Sequence, residues 1–334
     1  MRIAIAGGGG LGYLLAWQLS QADATYHIII LSTSARPEFS ALDIHVYIVD
    51  YNNHSSLAYA LQGTDIVIST ISGAPQLNLI NAAALSRTRT FIPSEFEGSL
   101  SKRPSRHEYD PSLTRSSSQA ISLLQYWEDV SRMRYTVFAC GIFMERFHPQ
   151  GLGGYLLDMD MNMDMDIGFG SGSGSGSGVP HPGDYLLNIK ECTAEYADRN
   201  TRGRTVRVCL TSVYDLVRFV GAALELGTQN WPREFTMWGD RMPVRELVRT
   251  YGRVMNVELE HLVRDPADLQ ALLVYYAQIA DGEKVAYYQR LVATMNGCYD
   301  FCRASLNEVL GKSGAGHVQP MTFAGWLGTV GQSL

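Results

Sequence analysis

The stretch IAIAGGGGLG, Ile3 to Gly12, decides the fold of this chain. An apolar run leads straight into consecutive glycines, and apolar residues at helical spacing resume at Leu11 and continue to Gln21. A short buried strand, a glycine turn and a helix that opens at the turn are the parts of a βα unit. Within the turn, Gly7, Gly9 and Gly12 fit the spacing GxGxxG. One glycine makes the tight turn, the next lets a pyrophosphate approach the backbone, and the third lets the helix pack on its strand. The unpaired N–H groups of the first helical turn then face the phosphates. Gly7, Gly9, Gly10, Leu11 and Gly12 are therefore expected to hold a dinucleotide.

Outward from this unit the pattern repeats. His27 to Leu31, Ile44 to Val49, Ile66 to Ser69 and Thr90 to Ile92 read as strands. Leu11 to Gln21, Ser55 to Leu61 and Gln76 to Ser86 read as the crossover helices between them. A sixth strand, Tyr135 to Cys140, is expected after a helix opened by Asp110 and Pro111, with Ile121, Leu124 and Trp127 turned inward. The fold class is α/β: a Rossmann-type doubly wound parallel sheet with a smaller helix-rich C-terminal lobe.

The residue about 20 positions past the glycines sets cofactor preference, because an acid there would accept hydrogen bonds from the ribose 2′-OH of NAD. Here the place holds Ser32, and the run Ser32 to Arg36 carries hydroxyls and a guanidinium but no carboxylate. A 2′-phosphate is tolerated there and Arg36 can pair with it, so NADP(H) is expected.

At 334 residues the chain predicts about two domains: residues 1–150 for the nucleotide and residues 151–334 as a lobe that covers the substrate. In the second part Val206 to Leu210 reads as a strand, and Ser212 and Asp215 stand at capping-box spacing before a helix closed by Gly227. Helices are expected after Pro243 and Pro266, and Phe323, Trp326 and Leu327 pack the closing segment. Residues 159–178, MDMNMDMD followed by a Ser-Gly repeat, read as a flexible insertion.

A net charge of −6 offers no basic field for nucleic acid or anionic lipid. The apolar run after Arg2 is too short for a signal peptide, and no stretch is long enough to span a bilayer. A cytoplasmic protein with a small-molecule partner is expected, its oligomeric state left open. Five scattered cysteines fit reduced thiols. Cys298 and Cys302 would share one helix face, but no further ligand completes a metal site, so packing is expected there.

The glycine loop, the strand end VDY at Val49 to Tyr51, TDIVISTISG from Thr64, FIPSEF at Phe91 to Phe96 and YTVFACGIF from Tyr135 resemble the NmrA-like and isoflavone reductase-like branch of the atypical short-chain dehydrogenases/reductases. TSVYDLVRFVGAALEL, WPREFTMWGD and TFAGWL resemble its fungal members, so the similarity spans nearly the whole chain outside the insertion. The resemblance implies NADPH-dependent reduction of a small aromatic or polyketide-like secondary metabolite. It also implies that Asp50 meets the adenine, that Thr70, Ile71 and Ser72 lie beside the nicotinamide ribose, and that Pro93, Ser94, Glu95 and Phe96 floor the active site. Gly141, Ile142 and Phe143 would line the pocket where substrate and ring meet.

One departure bears on mechanism. Plant members carry a catalytic lysine on the helix after PSEF, and TRSSSQAISLLQYW here contains none. Hydride delivery to a carbonyl still requires stabilisation or protonation of the developing oxyanion. Lys102, His107, Tyr109 and Arg115 are the local candidates, with Lys102 and Tyr109 foremost. The missing lysine motivates a second reading, a cyclase, dehydratase or isomerase that keeps NADP as scaffold. A third is an NmrA-type regulatory protein that senses NADP. No GxSxG elbow, Ser/His/Asp order or zinc constellation is present, which disfavours hydrolysis and metal catalysis.

Overall fold

The computed structural model describes residues 1–22, 26–102, 116–149, 185–313 and 318–333. Six parallel strands form the main sheet: β1 (Arg2–Ala6), β2 (His27–Ser32), β3 (His45–Ile48), β4 (Ile66–Ser69), β5 (Thr90–Ile92) and β6 (Arg134–Tyr135). Their spatial order is β3-β2-β1-β4-β5-β6. The order switches direction between β1 and β4, and that switch opens a crevice beyond the carboxyl ends of the strands. The doubly wound sheet expected from the sequence is present.

Both faces of the sheet are covered, which is why its strands read as unbroken apolar runs. Ile3, Ile5, Ile28, Ile30, Ile66 and Ile68 pack into one layer with α1 (Gly10–Ser20). Alternate residues of the same strands, Ala4, Ala6, Ile29, Leu31 and Val67, pack into the other. That second layer contains α2 (His54–Ala60), α3 (Ala74–Leu85) and α4 (Ser117–Val130), through Leu57, Leu79 and Leu124. Leu124 is fully buried while Ile121 and Trp127 are partly so, and the Trp127 indole N–H donates to Oδ1 of Asn81 at 2.9 Å.

The sixth strand departs from expectation. Only Arg134 and Tyr135 pair with β5; after Thr136 the chain leaves the sheet, and β7 (Val137–Ala139) pairs instead with β12 (Glu234–Thr236). The cause is a new set of partners: the Thr136 hydroxyl donates to the Pro232 carbonyl at 2.8 Å and the Val137 N–H to the Arg233 carbonyl at 2.9 Å. The expected helix start at Asp110 and Pro111 and the insertion at 159–178 lie outside the described residues.

Beyond β8 (Ile142–Phe143) the chain builds two small sheets. One is β8, β11 (Arg207–Thr211) and β13 (Asp240–Pro243); the other is β9 (Leu187–Asn188), β10 (Thr193–Tyr196) and β14 (Glu260–Val263). Helix α5 (Val213–Glu225) crosses back to pack on α1, with Leu216, Val217 and Val220 in the same core as Ile3 and Ile5. Gly227 closes α5 with a φ of 78°, as its position in the sequence predicts. The capping box does not form as expected. Ser212 caps through the Tyr214 N–H, and Asp215 instead accepts the Met321 N–H at 2.8 Å, because the closing segment of the chain lies against it.

The remaining helices are α6 (Val244–Met255), α7 (Pro266–Gln278), α8 (Gly282–Met295), α9 (Ser305–Ser313) and α10 (Phe323–Ser333). Phe323, Trp326 and Leu327 are fully buried, and the Phe323 ring packs edge-on to Phe147 at 5.4 Å. The shared helix face expected for Cys298 and Cys302 is absent: α8 ends at Met295, Gly297 turns the chain with a φ of 79°, and Cys302 is exposed. Among the described residues no helix is long and apolar enough to cross a membrane, and no cluster of ligating side chains could hold a metal.

Candidate active site

The glycine loop is shaped by close backbone approach. Gly7 has a φ of 104°, its N–H donates to the Leu31 carbonyl at 2.9 Å, and a Cβ placed on it would lie 2.3 Å from Oγ1 of Thr70. A Cβ on Gly12 would lie 2.0 Å from the Gly7 carbonyl oxygen. Neither position admits a side chain. Gly9 is the N-cap of α1 in an extended conformation, so the N–H groups of Gly10, Leu11 and Gly12 open the helix with no acceptor from within it. The cradle fits a pyrophosphate.

Ser32, buried at the end of β2, accepts the Ser34 N–H and shapes the turn that carries Arg36 back toward the loop. The Arg36 stem lies over Gly8, 3.0 Å from where a Cβ would stand, and its guanidinium is 3.7 Å from Glu38. Among the described residues its buried Nε has no hydrogen-bond partner, a donor held at the rim of the cradle. Asp50 is exposed just beyond β3, its Oδ1 accepting the Asn52 N–H at 2.9 Å. At the end of β4 the Thr70 hydroxyl donates to the Ala6 carbonyl at 2.9 Å, Ile71 touches the Gly7 position, and Ser72 precedes the turn at Gly73 that opens α3. Thr70 thus pins the glycine loop from the neighbouring strand.

The PSEF run is buried from Pro93 to Phe96 and tied to three elements. The Ser94 N–H donates to Oε1 of Gln76 on α3 at 2.7 Å, Glu95 accepts the Ser117 hydroxyl at the start of α4, and the Phe96 carbonyl accepts the Cys140 thiol at 3.1 Å. Past β7, Gly141 has a φ of 76°, and a Cβ there would lie 2.1 Å from the Cys209 carbonyl oxygen. This turn brings Gly141, Ile142 and Phe143 to a pocket that Glu97, Arg146, Tyr185, Arg290 and Tyr299 also line.

Of the two foremost proton-donor candidates, Lys102 ends a single 3-10 turn (Leu100–Lys102) with its side chain exposed, and its carbonyl accepts the Cys298 thiol at 3.5 Å. Tyr109, like His107 and Arg115, lies outside the described residues.

The sequence reading missed five pocket residues. Glu97 directly follows PSEF and Arg146 closely follows Phe143, so adjacency to recognised runs was an available signal. Tyr185, Arg290 and Tyr299 arrive from distant segments, and nothing in their spacing announces the convergence.

No protein-family model matches the chain. Oxidoreductase BOA1 of Botryotinia fuckeliana is 25% identical over 267 residues, 76% of either chain. Isoflavone reductase homolog A622 of Nicotiana glauca is 29% identical over 167 residues, 44% of this chain and 50% of the relative. The chain is similar to both of these proteins. The match to the plant relative spans about half of that protein's length. The binary complex of leucoanthocyanidin reductase with NADPH from Vitis vinifera superposes with a TM-score of 0.66 at 14% identity, over 99% of this chain and 100% of that one. At that identity the likeness is one of fold.

Proposed function

We propose that this chain is an NADP(H)-dependent oxidoreductase that reduces a small aromatic or polyketide-like molecule at a carbonyl or conjugated alkene. The observation that carries the reading is the glycine cradle with the Arg36 side chain laid over Gly8. Gly7, Gly9, Gly10, Leu11 and Gly12 would hold the pyrophosphate, Ser32 and Arg36 the 2′-phosphate, and Asp50 the adenine end. Thr70, Ile71 and Ser72, with Pro93, Ser94 and Glu95, would flank the nicotinamide end. When bound, the reduced nicotinamide supplies a hydride. Phe96, Gly141, Ile142 and Phe143 would present the substrate to it. Residues 1–150 would form the nucleotide part and 151–334 the covering part, with α5 crossing back to brace the first.

The missing lysine supports a second reading, in which the same cradle holds NADP(H) while the pocket catalyses a cyclisation, dehydration or isomerisation. The α4 sequence SSQAISLLQYWEDV contains no lysine. One experiment separates the readings: NADPH absorbance is followed with a panel of aromatic aldehydes, ketones, enones and quinones, with product analysis and cofactor titrations alongside. Cofactor consumption with a reduced product supports the reductase. Product without consumption supports the second reading, and tight NADP(H) binding with no product supports an NADP-sensing regulator. Absence of NADP(H) binding would remove all three.

A further inference from the structure

The pocket lacks the lysine expected of its relatives, and the structure assigns the proton-donating role to Tyr299. This inference rests on the reductase reading and names the group that completes it.

Tyr299 is held at the pocket by its backbone. The turn at Gly297 ends α8 and directs the chain between β11 and the segment after PSEF. The Cys209 N–H on β11 donates to the Tyr299 carbonyl at 2.8 Å. From the other side Gly98 comes so close that a Cβ on it would stand 2.4 Å from the Cys298 carbonyl oxygen and 3.4 Å from the Tyr299 ring. The ring also packs edge-on to Tyr185 at 6.5 Å. These contacts hold the ring at the pocket wall.

The other pocket groups are less suited to give up a proton. Arg146 and Arg290 donate hydrogen bonds but do not release protons near neutral pH. The Tyr185 hydroxyl is engaged with Oγ1 of Thr294 at 2.7 Å. Glu97, when ionised, is an acceptor only. Tyr299 itself is 6% exposed. Burial holds the phenol well above its ordinary 10; Glu97, Tyr185 and Cys298 push the same way, and Arg146 opposes them. The group is thus protonated throughout the physiological range, as a donor must be. Arg146 is placed to favour the phenolate that donation leaves behind.

In the step, a substrate carbonyl carbon receives hydride and its electron pair, and the C=O π pair moves onto oxygen. The Tyr299 O–H bond breaks toward that oxygen, giving the alcohol. The phenolate regains its proton from water after product leaves. Reduction of a conjugated enone follows the same balance, with the proton delivered to the enolate oxygen.

The test uses Tyr299→Phe, which keeps the ring, and two readouts. Steady-state reduction of the best carbonyl substrate from the panel should fall about a hundredfold or more in kcat, with KM and NADPH affinity nearly unchanged. Separately, p-dimethylaminocinnamaldehyde is titrated into protein without cofactor and with NADP+, where no turnover occurs. Its absorption moves to longer wavelength when the aldehyde oxygen accepts a hydrogen bond, and that shift should be present in the native protein and lost in the variant. An unshifted band on the native protein, or a variant that keeps both the shift and its rate within about threefold, overturns the role of Tyr299 and leaves the reductase reading intact. Native protein that neither binds the aldehyde nor consumes NADPH with any panel member overturns the reductase reading and this inference with it. Should Tyr299→Phe fail to fold, the native pH profile decides. With Glu97, Tyr185, Cys298, Arg146 and Arg290 facing the phenol, kcat should stay level from about pH 6 to 9 with Tyr299 as donor. A tenfold loss per pH unit through the neutral range would assign the proton to another group.

Discussion

The Ser212 hydroxyl, at the N-cap of α5, donates to Oε1 of Glu145 at 2.7 Å, and the Val213 N–H is 3.1 Å from both oxygens of the same carboxylate. Glu145 thereby ties the pocket-lining segment after β8 to the helix that braces α1. The residue is fully enclosed. Burial pushes its carboxyl up from 4.5 to about 7, and nearby Asp215 adds to this; the hydrogen bonds from Ser212 and Val213 pull the other way.

A pH dependence of stability follows. An ordinary glutamate in the unfolded chain loses its proton near 4.5, so between that value and about 7 the folded protein holds the extra proton. The contribution is complete below the lower value and is lost as pH rises through the upper one, on the order of 3 kcal/mol at most. Denaturant titrations of the native protein and Glu145→Gln at intervals from about pH 5 to 7.5 check this. The native protein should lose stability over that range relative to the variant; parallel curves would mean that Glu145 is ionised in the fold throughout.

The glycines of the loop should separate into two classes. Gly9 has a φ of −79°, which valine adopts readily, so Gly9→Val should fold while blocking approach of the pyrophosphate. Gly12→Ala places a methyl 2.0 Å from the Gly7 carbonyl oxygen and should destabilise the protein as well as weaken the cofactor. Thermal melts with and without NADPH distinguish them: ligand stabilisation lost at an unchanged starting temperature for the first, and a lowered starting temperature for the second.

Arg36→Glu should weaken NADP(H) binding by at least tenfold, because a carboxylate would face the 2′-phosphate where a guanidinium now lies over Gly8. NAD(H), with a hydroxyl there, should be affected far less. Titrations of both cofactors on both proteins measure the ratio, and an unchanged NADP(H) to NAD(H) preference would place Arg36 outside the site.

Much of this arrangement was legible in the sequence because its causes are local. The strand before the glycines, the turn at Gly7 and the packing demand at Gly12 depend on residues that are chain neighbours, and continuous apolar runs follow from burial on both sheet faces. The break after Tyr135 was not legible, since Val137 to Ala139 is as apolar as a sheet strand. Its partner, Glu234 to Thr236, is nearly a hundred residues away. The same holds for the pocket: Gly141 to Phe143 stood out by resemblance, whereas Tyr299 reaches it through a turn after α8 that leaves no periodic trace. Asp215 shows a local rule overridden, its capping role displaced by the N–H of distant Met321.

Tyr251 on α6 is fully buried and its hydroxyl has no partner among the described residues. A buried hydroxyl without a hydrogen bond costs about 1–3 kcal/mol of desolvation. Tyr251→Phe is therefore expected to leave stability unchanged or raise it by about 1 kcal/mol, as read by urea titration. A clear loss would reveal a hydrogen bond made in solution.

Lys102→Ala addresses the donor that resemblance to lysine-bearing relatives would suggest first. Its side chain is exposed on a short turn, and it is the Lys102 carbonyl, not the ammonium, that contacts Cys298 beside the pocket. Alanine keeps that carbonyl, so the turn and the 298–299 segment should stay in place. General acid catalysis is worth about 10²–10⁴-fold, and an exposed ammonium that does not line the pocket should supply little of it. Turnover of the panel substrate is expected to fall less than about tenfold, with NADPH affinity unchanged. A loss near a thousandfold at constant affinity would show that the lysine reaches the substrate in the working enzyme. Tyr299→Phe would then keep its rate within about threefold, so the two variants measured side by side assign the proton to one residue or the other.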